Sequence, residues 1–214
     1  MKLINTKSIT YLERLQGTTK WYWGSDYLHG DLYEAEEIFN NVHKIKSNKL
    51  LFVSYPEGDV IEPIKPFDGQ YFGIPKYYDN HIIILLVDFN EQLIKIEKYN
   101  EITSEIKNIV SIPLDKVKDC YNLMLHTHPL MLTREGGEGD FEIIYPNETK
   151  FKVGSKESFY FRKDEYLYFS VWFEDEYEEY HEDVIIRDIN TGKIIDRIKG
   201  SIISMPDGQV WLLN

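Results

Sequence analysis

Two histidines separated by one residue, in His126-Thr127-His128-Pro129, are the sharpest chemical feature of the chain. On an extended strand alternate side chains leave the same face, so both imidazoles would point together and are able to share one divalent ion. Met124 has the same parity. That parity also fits a partly buried edge strand whose imidazoles bond locally. Cys120 shares it as well, but six residues on a regular strand span about 20 Å, too far for a thiol and an imidazole to act as nucleophile and base. A lone cysteine of this kind reads as a small core residue.

The His-Thr-His-Pro segment resembles the zinc motif of JAMM-type isopeptidases. In that family the segment is followed by seven residues, a Ser, and an Asp three further on, with an upstream Glu activating water. Here the serine position is taken by Gly136 and the aspartate position by Gly139, and Asp140 lies one residue beyond. A bulge is needed to turn that carboxylate back toward the histidines. The resemblance implies a metal-dependent hydrolase using His126, His128 and Asp140, and this is the alternative functional reading.

A second constellation runs from Trp21 to Asp31 and contains Trp21, Trp23, Asp26, Tyr27 and His29. It combines aromatic surfaces able to line a pocket, a carboxylate, and an imidazole beside a helix start. These five residues are the candidate ligand-binding set. The competing expectation is that Trp21 and Trp23 pack a sheet while Asp31 caps the helix. Seven acids crowd the ten residues from Glu174 to Asp183, interleaved by Tyr177 and Tyr180, without the ligand spacing of a calcium loop. A solvated connection between strands is the expectation there. Gly136-Gly137-Glu138-Gly139 lacks the Lys-Ser/Thr of a phosphate loop and reads as a turn.

The elements that must position these groups are legible as turns and periods. Gly30-Asp31 supplies a break and an N-cap, and Glu34 completes capping-box spacing. Leu32, Ala35, Ile38, Phe39 and Val42 then form one apolar stripe, predicting a helix over Asp31 to Asn40. A further helical turn is expected at Asp115 to Asp119. Elsewhere the period is two. Lys49 to Ser54 is expected to pair with Asp59 to Ile64, and Ile82 to Val87 with Gln92 to Glu97. Phe141 to Ile144 should meet Thr149 to Val153, and Val184 to Arg187 should meet Lys193 to Ile198. Tyr71 to Ile74, Phe159 to Phe161 and Ser201 to Ser204 each lead into a turn and another apolar strand.

Strand, turn, strand, hairpin, repeated in this way, resembles the β-propeller family. The stretch from Val184 to Ile195 looks like the outer hairpin of a blade, and the stretch from Ile203 to Trp211 like a closing inner strand. The resemblance covers residues 43–214 as a pattern of strands, without the Trp-Asp and Gly-His signatures of the best-known repeats. It implies a small propeller-like ring of about five blades, formed by residues 1–214 as a single domain. Thr19 to Trp23 is then expected to complete the blade begun by Ser201 to Leu213. Ile82 to Val87 is apolar on both faces, as a strand covered on two sides must be. A β-sandwich or open barrel is the alternative fold.

Composition agrees with an all-β chain. It has 26 Ile, 10 Val and 31 aromatic residues but a single alanine, Ala35, a vocabulary suited to pleated surfaces rather than helices. Twenty-four basic residues against 36 acidic ones leave a formal charge of −12. Such a field repels nucleic acid and anionic membrane, so neither is an expected partner. One cysteine excludes an intrachain disulfide, and residues 1–16 lack the apolar stretch of a signal peptide, which together suggest a cytoplasmic address. The preferred reading is a soluble, non-enzymatic binding or protein-interaction module, needing no cofactor, with an unspecified protein or small molecule as its ligand.

Overall fold

The computed structural model describes residues 1–174, 180–205 and 209–214. It is an all-β architecture of several antiparallel sheets with one α-helix. The chain divides into two compact units, Met1–Cys120 and Tyr121–Asn214.

In the first unit, β1 (Glu13–Arg14), β2 (Trp21–Ser25), β3 (Leu50–Ser54) and β4 (Val60–Ile61) form an antiparallel meander in chain order. Helix α1 (Leu32–Val42) is inserted between β2 and β3. The capping box is present as expected. The Asp31 side chain accepts from the Tyr33 and Glu34 amides, and the Glu34 side chain accepts from the Asp31 amide. The second sheet contains β5 (Gln70–Phe72), β6 (Lys76–Tyr78), β7 (His81–Asp88), β8 (Leu93–Asn100) and β9 (Ile106–Pro113). Its order is β5-β7-β8-β9, with β6 also pairing β7. A 3-10 turn at Leu114–Lys116 falls where a short helical turn is expected.

The period-two pattern determines which residues meet. On β7, Ile82, Ile84 and Leu86 join Trp21, Trp23, Leu50 and Phe52 in one core. Ile83, Leu85 and Val87 are also buried, so both faces of the strand are covered. On β3 the alternation places Leu51 and Val53 in a smaller cluster with Ile9. Fully burying an aliphatic side chain contributes roughly 1.5–3 kcal/mol, so β7 is a principal anchor of its unit.

In the second unit, β10 (Leu123–His126), β11 (Met131–Glu135), β12 (Asp140–Tyr145) and β13 (Thr149–Lys152) form another four-stranded meander. A third follows from β14 (Glu157–Lys163), β15 (Tyr166–Phe173), β16 (His181–Asp188) and β17 (Ile194–Lys199). Phe141, Ile143, Phe159, Leu167, Phe169 and Ile185 share the core of this unit. The last element is a two-stranded hairpin of β18 (Ser201–Ser204) and β19 (Val210–Leu213). The four expected hairpins are all formed. In the β16–β17 connection, Gly192 has φ +66°, and a Cβ there would lie 2.3 Å from the Phe151 ring, so this turn requires glycine.

Two expectations are corrected. Thr19 to Trp23 does not supply a strand to the C-terminal pair, because β2 is hydrogen-bonded on one edge to β1 and on the other to β3. The two histidines do not share a strand face: β10 ends at His126, and His128 lies in the following turn with φ +66°. The acidic run from 174 to 183 lies partly outside the described residues, and the turn expected after Ser204 falls on residues 206–208, which lie outside them.

Candidate functional site

Of the candidate ligand-binding residues, Trp21 and Trp23 are core. They are 5% and 4% exposed, on the same face of β2, and pack with Leu50, Phe52 and Tyr99. Trp21 Nε1 donates to Glu101 Oε2 at 2.6 Å. Lys20 Nζ also donates to that oxygen at 2.6 Å, and the Tyr77 hydroxyl donates to Oε1 at 3.1 Å. Burial pushes the Glu101 carboxyl up, but the bonds from Lys20, Trp21 and Tyr77 outweigh it and hold the pKa below the ordinary value. Burial and the facing Glu101 charge raise the Tyr77 phenol to about 12. A carboxylate this fully occupied by donors ties the two sheets of its unit together and is poorly placed to accept a further proton. Glu101 is eighty residues from Trp21 in the chain, in a turn with no distinguishing local pattern, so only the fold brings it into view.

Asp26, Tyr27 and His29 lie in the loop between β2 and α1. Asp26 Oδ1 accepts the Lys49 amide at 2.9 Å, joining the two ends of the α1 insertion. Tyr27 has φ +43° and is 45% exposed, its ring edge-on to Trp23 with centroids 6.4 Å apart. Burial, then the Glu13 charge, raises its phenol pKa. The His29 amide donates to the Tyr71 hydroxyl at 3.0 Å, and that hydroxyl donates to the Gly30 carbonyl at 2.8 Å. Tyr71 is fully buried, and burial lifts its pKa to about 12 despite the His29 amide bond. His29 Nε2 is shielded from solvent and has no hydrogen-bond partner among the described residues. The segment therefore divides: two tryptophans and Asp26 have structural duties, while Tyr27 and His29 sit on the loop.

The His-Thr-His-Pro segment lies in the second unit. His126 Nε2 is 2.8 Å from the Thr133 hydroxyl, and its ring stands edge-on to Phe159 with centroids 4.7 Å apart. Asp140 lies directly opposite Lys152 across the β12–β13 ladder and pairs with its ammonium at 2.9 Å. That bond from Lys152 holds the Asp140 carboxyl below its ordinary pKa. Among the described residues no three His, Cys, Asp or Glu side chains gather into a group able to hold a metal, so His126, His128 and Asp140 are not brought together. Next to Asp140, the ladder pairs buried Arg134 with Glu142 at 3.2 Å and Glu142 with Lys150 at 2.7 Å. Alternating charges across neighbouring strands are mutually stabilising.

Cys120 is buried outside any strand, and its amide donates to Glu36 Oε2 at 2.6 Å. Glu135 has a carboxyl whose pKa is raised. Burial causes the rise and the amide of Phe159, 3.2 Å away, opposes it.

The surface feature that sequence reasoning missed is apolar. Ile194 and Ile195 of β17 are each 55% exposed, and Ile203 of β18 is also exposed. Every residue of β19 is exposed, including Trp211 at 49% and Leu213 at 50%. Trp211 and Leu213 leave one face of the strand and Val210 and Leu212 the other. Pattern alone reads this segment as an ordinary buried strand, because a period of two does not say whether a covering sheet exists.

No family model matches the chain, and no curated protein matches it.

Proposed function

We propose that the chain is a protein-interaction module, a single propeller-like domain in which the four-stranded meanders are successive blades and the exposed C-terminal strands carry the contact. The observation that carries this reading is the exposure of every β19 residue, with Trp211 and Leu213 side by side on one face of the strand. Large apolar side chains left exposed next to one another mark interaction sites. The repeated antiparallel meander supports the propeller reading, since sheets of four strands are the unit of that architecture. No described helix is long and apolar enough to cross a membrane, and the acidic balance favours a cytoplasmic protein partner over phosphate-rich ones. Binding of a hydrophobic fluorescent dye tests the reading. The wild-type chain should bind it and Trp211→Lys/Leu213→Lys should lose most of the signal with the far-ultraviolet circular dichroism unchanged. Equal signals from both chains count against it.

A second reading rests on the shielded, unpartnered His29 Nε2 beside exposed Tyr27 and Leu28. It assigns Trp21, Trp23, Asp26, Tyr27 and His29 to a small-molecule site, with the tryptophans as its floor. A fragment screen by NMR should then find compounds that shift the amides of residues 26–30, and His29→Ala should abolish those shifts.

A further inference from the structure

We propose that residues 1–12 are a detachable intramolecular ligand, a strap that masks a binding face for an extended partner segment of the same chemistry, aliphatic and basic. This face belongs to the β1–β4 sheet of the first unit and is independent of the exposed β19 residues.

The face under the strap is apolar. Side chains alternate along β2 and β3, so those that do not join the Trp21 core leave the other side of the sheet. Tyr22, Val53 and Val60 lie opposite one another across β2, β3 and β4, and Gly24 lies opposite Leu51. Ile4, Ile9 and Leu12 of the strap pack onto this surface, and Ile9 is buried there with Leu51 and Val53. The seat is shaped to them. A Cβ on Gly24 would lie 2.7 Å from Ile9 Cγ2, 2.8 Å from the Tyr11 carbonyl oxygen and 2.9 Å from Leu12 Cδ2, and one on Gly58 would lie 2.4 Å from Ile4 Cδ1. A glycine within a strand is what lets a second backbone approach this closely.

Charge selects the same occupant. Residues 1–12 contain Lys2 and Lys7 and no acid, whereas residues 56–62, which they meet, contain Glu57, Asp59 and Glu62 and no base. Lys7 Nζ pairs with Glu62 Oε2 at 3.1 Å. Lys2 Nζ donates to the Pro56 carbonyl at 3.2 Å and also to the Glu57 carbonyl. Aliphatic anchors in an apolar seat, with lysines against an acidic rim, combine affinity with complementarity as peptide recognition does.

The way the strap is held makes it separable. The first strand begins only at Glu13, and among the described residues no backbone hydrogen bond joins residues 1–12 to the sheet. The Ile9 amide donates within the strap, to the Thr6 carbonyl at 3.1 Å, and Leu3 and Tyr11 are exposed. Release therefore breaks no strand ladder, and a segment held by so few anchors opens locally at less cost than global unfolding. While closed, the tethered strap competes with any free segment at an effective concentration on the order of millimolar.

The probe is a fluorescent synthetic peptide with the sequence of residues 1–12, titrated into the full chain and followed by anisotropy. Ile4→Asp/Ile9→Asp sets two carboxylates against the acidic rim and displaces the strap, so this variant should bind the peptide at least about tenfold more tightly than the intact chain. Adding Glu62→Lys, or raising the salt, should weaken that binding several-fold, and a peptide carrying the same two aspartates should not bind. In the intact chain, hydrogen exchange should show the Ile9 amide opening well before the amides of β3. A double variant with unchanged circular dichroism that binds the peptide no better than the intact chain overturns the proposal, as does binding indifferent to Glu62→Lys and to the aspartates in the peptide. An Ile9 amide that exchanges only together with β3 overturns it as well, because the strap then leaves only when the sheet unfolds, and this measurement decides the matter where the double variant does not fold.

Discussion

Glu101 and Tyr77 show how far a residue's chemistry depends on what surrounds it. Neither stands out in the sequence, yet together they bond the rim of the core that holds Trp21. Tyr71 and Tyr77 have phenols raised from 10.0 to about 12 in the folded protein. Their contribution to stability is fully present below pH 10 and is lost as pH rises from 10 toward 12, because the unfolded chain releases those protons first. Alkaline unfolding followed by circular dichroism should therefore fall in that window, and Tyr71→Phe/Tyr77→Phe should flatten the dependence. Glu101 acts with the opposite sign. Its folded pKa lies below the ordinary 4.5, so its contribution is present above that value and fades as pH falls through it. Trp21→Ala should cost about 3–5 kcal/mol, the range for truncating a buried tryptophan, measured by urea unfolding. A cost near zero would mean that Trp21 serves a ligand rather than the core.

At the scale of elements, the helix and the four hairpins were readable because their signals are local. A capping box needs only residues 31 and 34, and a turn only four or five neighbours. Asp31→Ala removes the side chain that accepts from the Tyr33 and Glu34 amides and should cost ~1 kcal/mol in thermal or urea unfolding, with Asp31→Asn nearly neutral. Of the strands that escaped notice, β11 is a buried central strand, and the others are short or edge-like. β1 has two residues, β6 has three, and β9 is largely exposed and ends on Pro113, as edge strands tolerate. The His-Thr-His-Pro segment was misplaced for the same kind of reason. An alternating pattern predicts a continuing strand, but the chain turns after His126, and no local feature except Pro129 signals it.

At the scale of the molecule, the proposed single domain makes a prediction about cooperativity. The four tryptophans divide evenly, Trp21 and Trp23 in Met1–Cys120 and Trp172 and Trp211 in Tyr121–Asn214. If both units unfold as one domain, variants keeping only Trp23 or only Trp172 should report the same denaturation midpoint. Two separated midpoints would instead assign each unit its own folding transition. The excess of acids, 36 against 24 basic residues, bears on solubility and encounter rather than on fold.

The sequence by itself determined the all-β class, the place and cap of the one helix, and the pairing of the four hairpins. Those properties follow from period, turn chemistry and β-branched composition, which act between near neighbours. Tertiary structure decided what the chemically suggestive residues are for. It placed Trp21 against a carboxylate eighty residues away, turned Asp140 toward Lys152, engaged His126 with Thr133 and Phe159, and left every β19 residue exposed. Each outcome depends on contacts between residues far apart in the chain, and spacing along a sequence carries no measure of such distances.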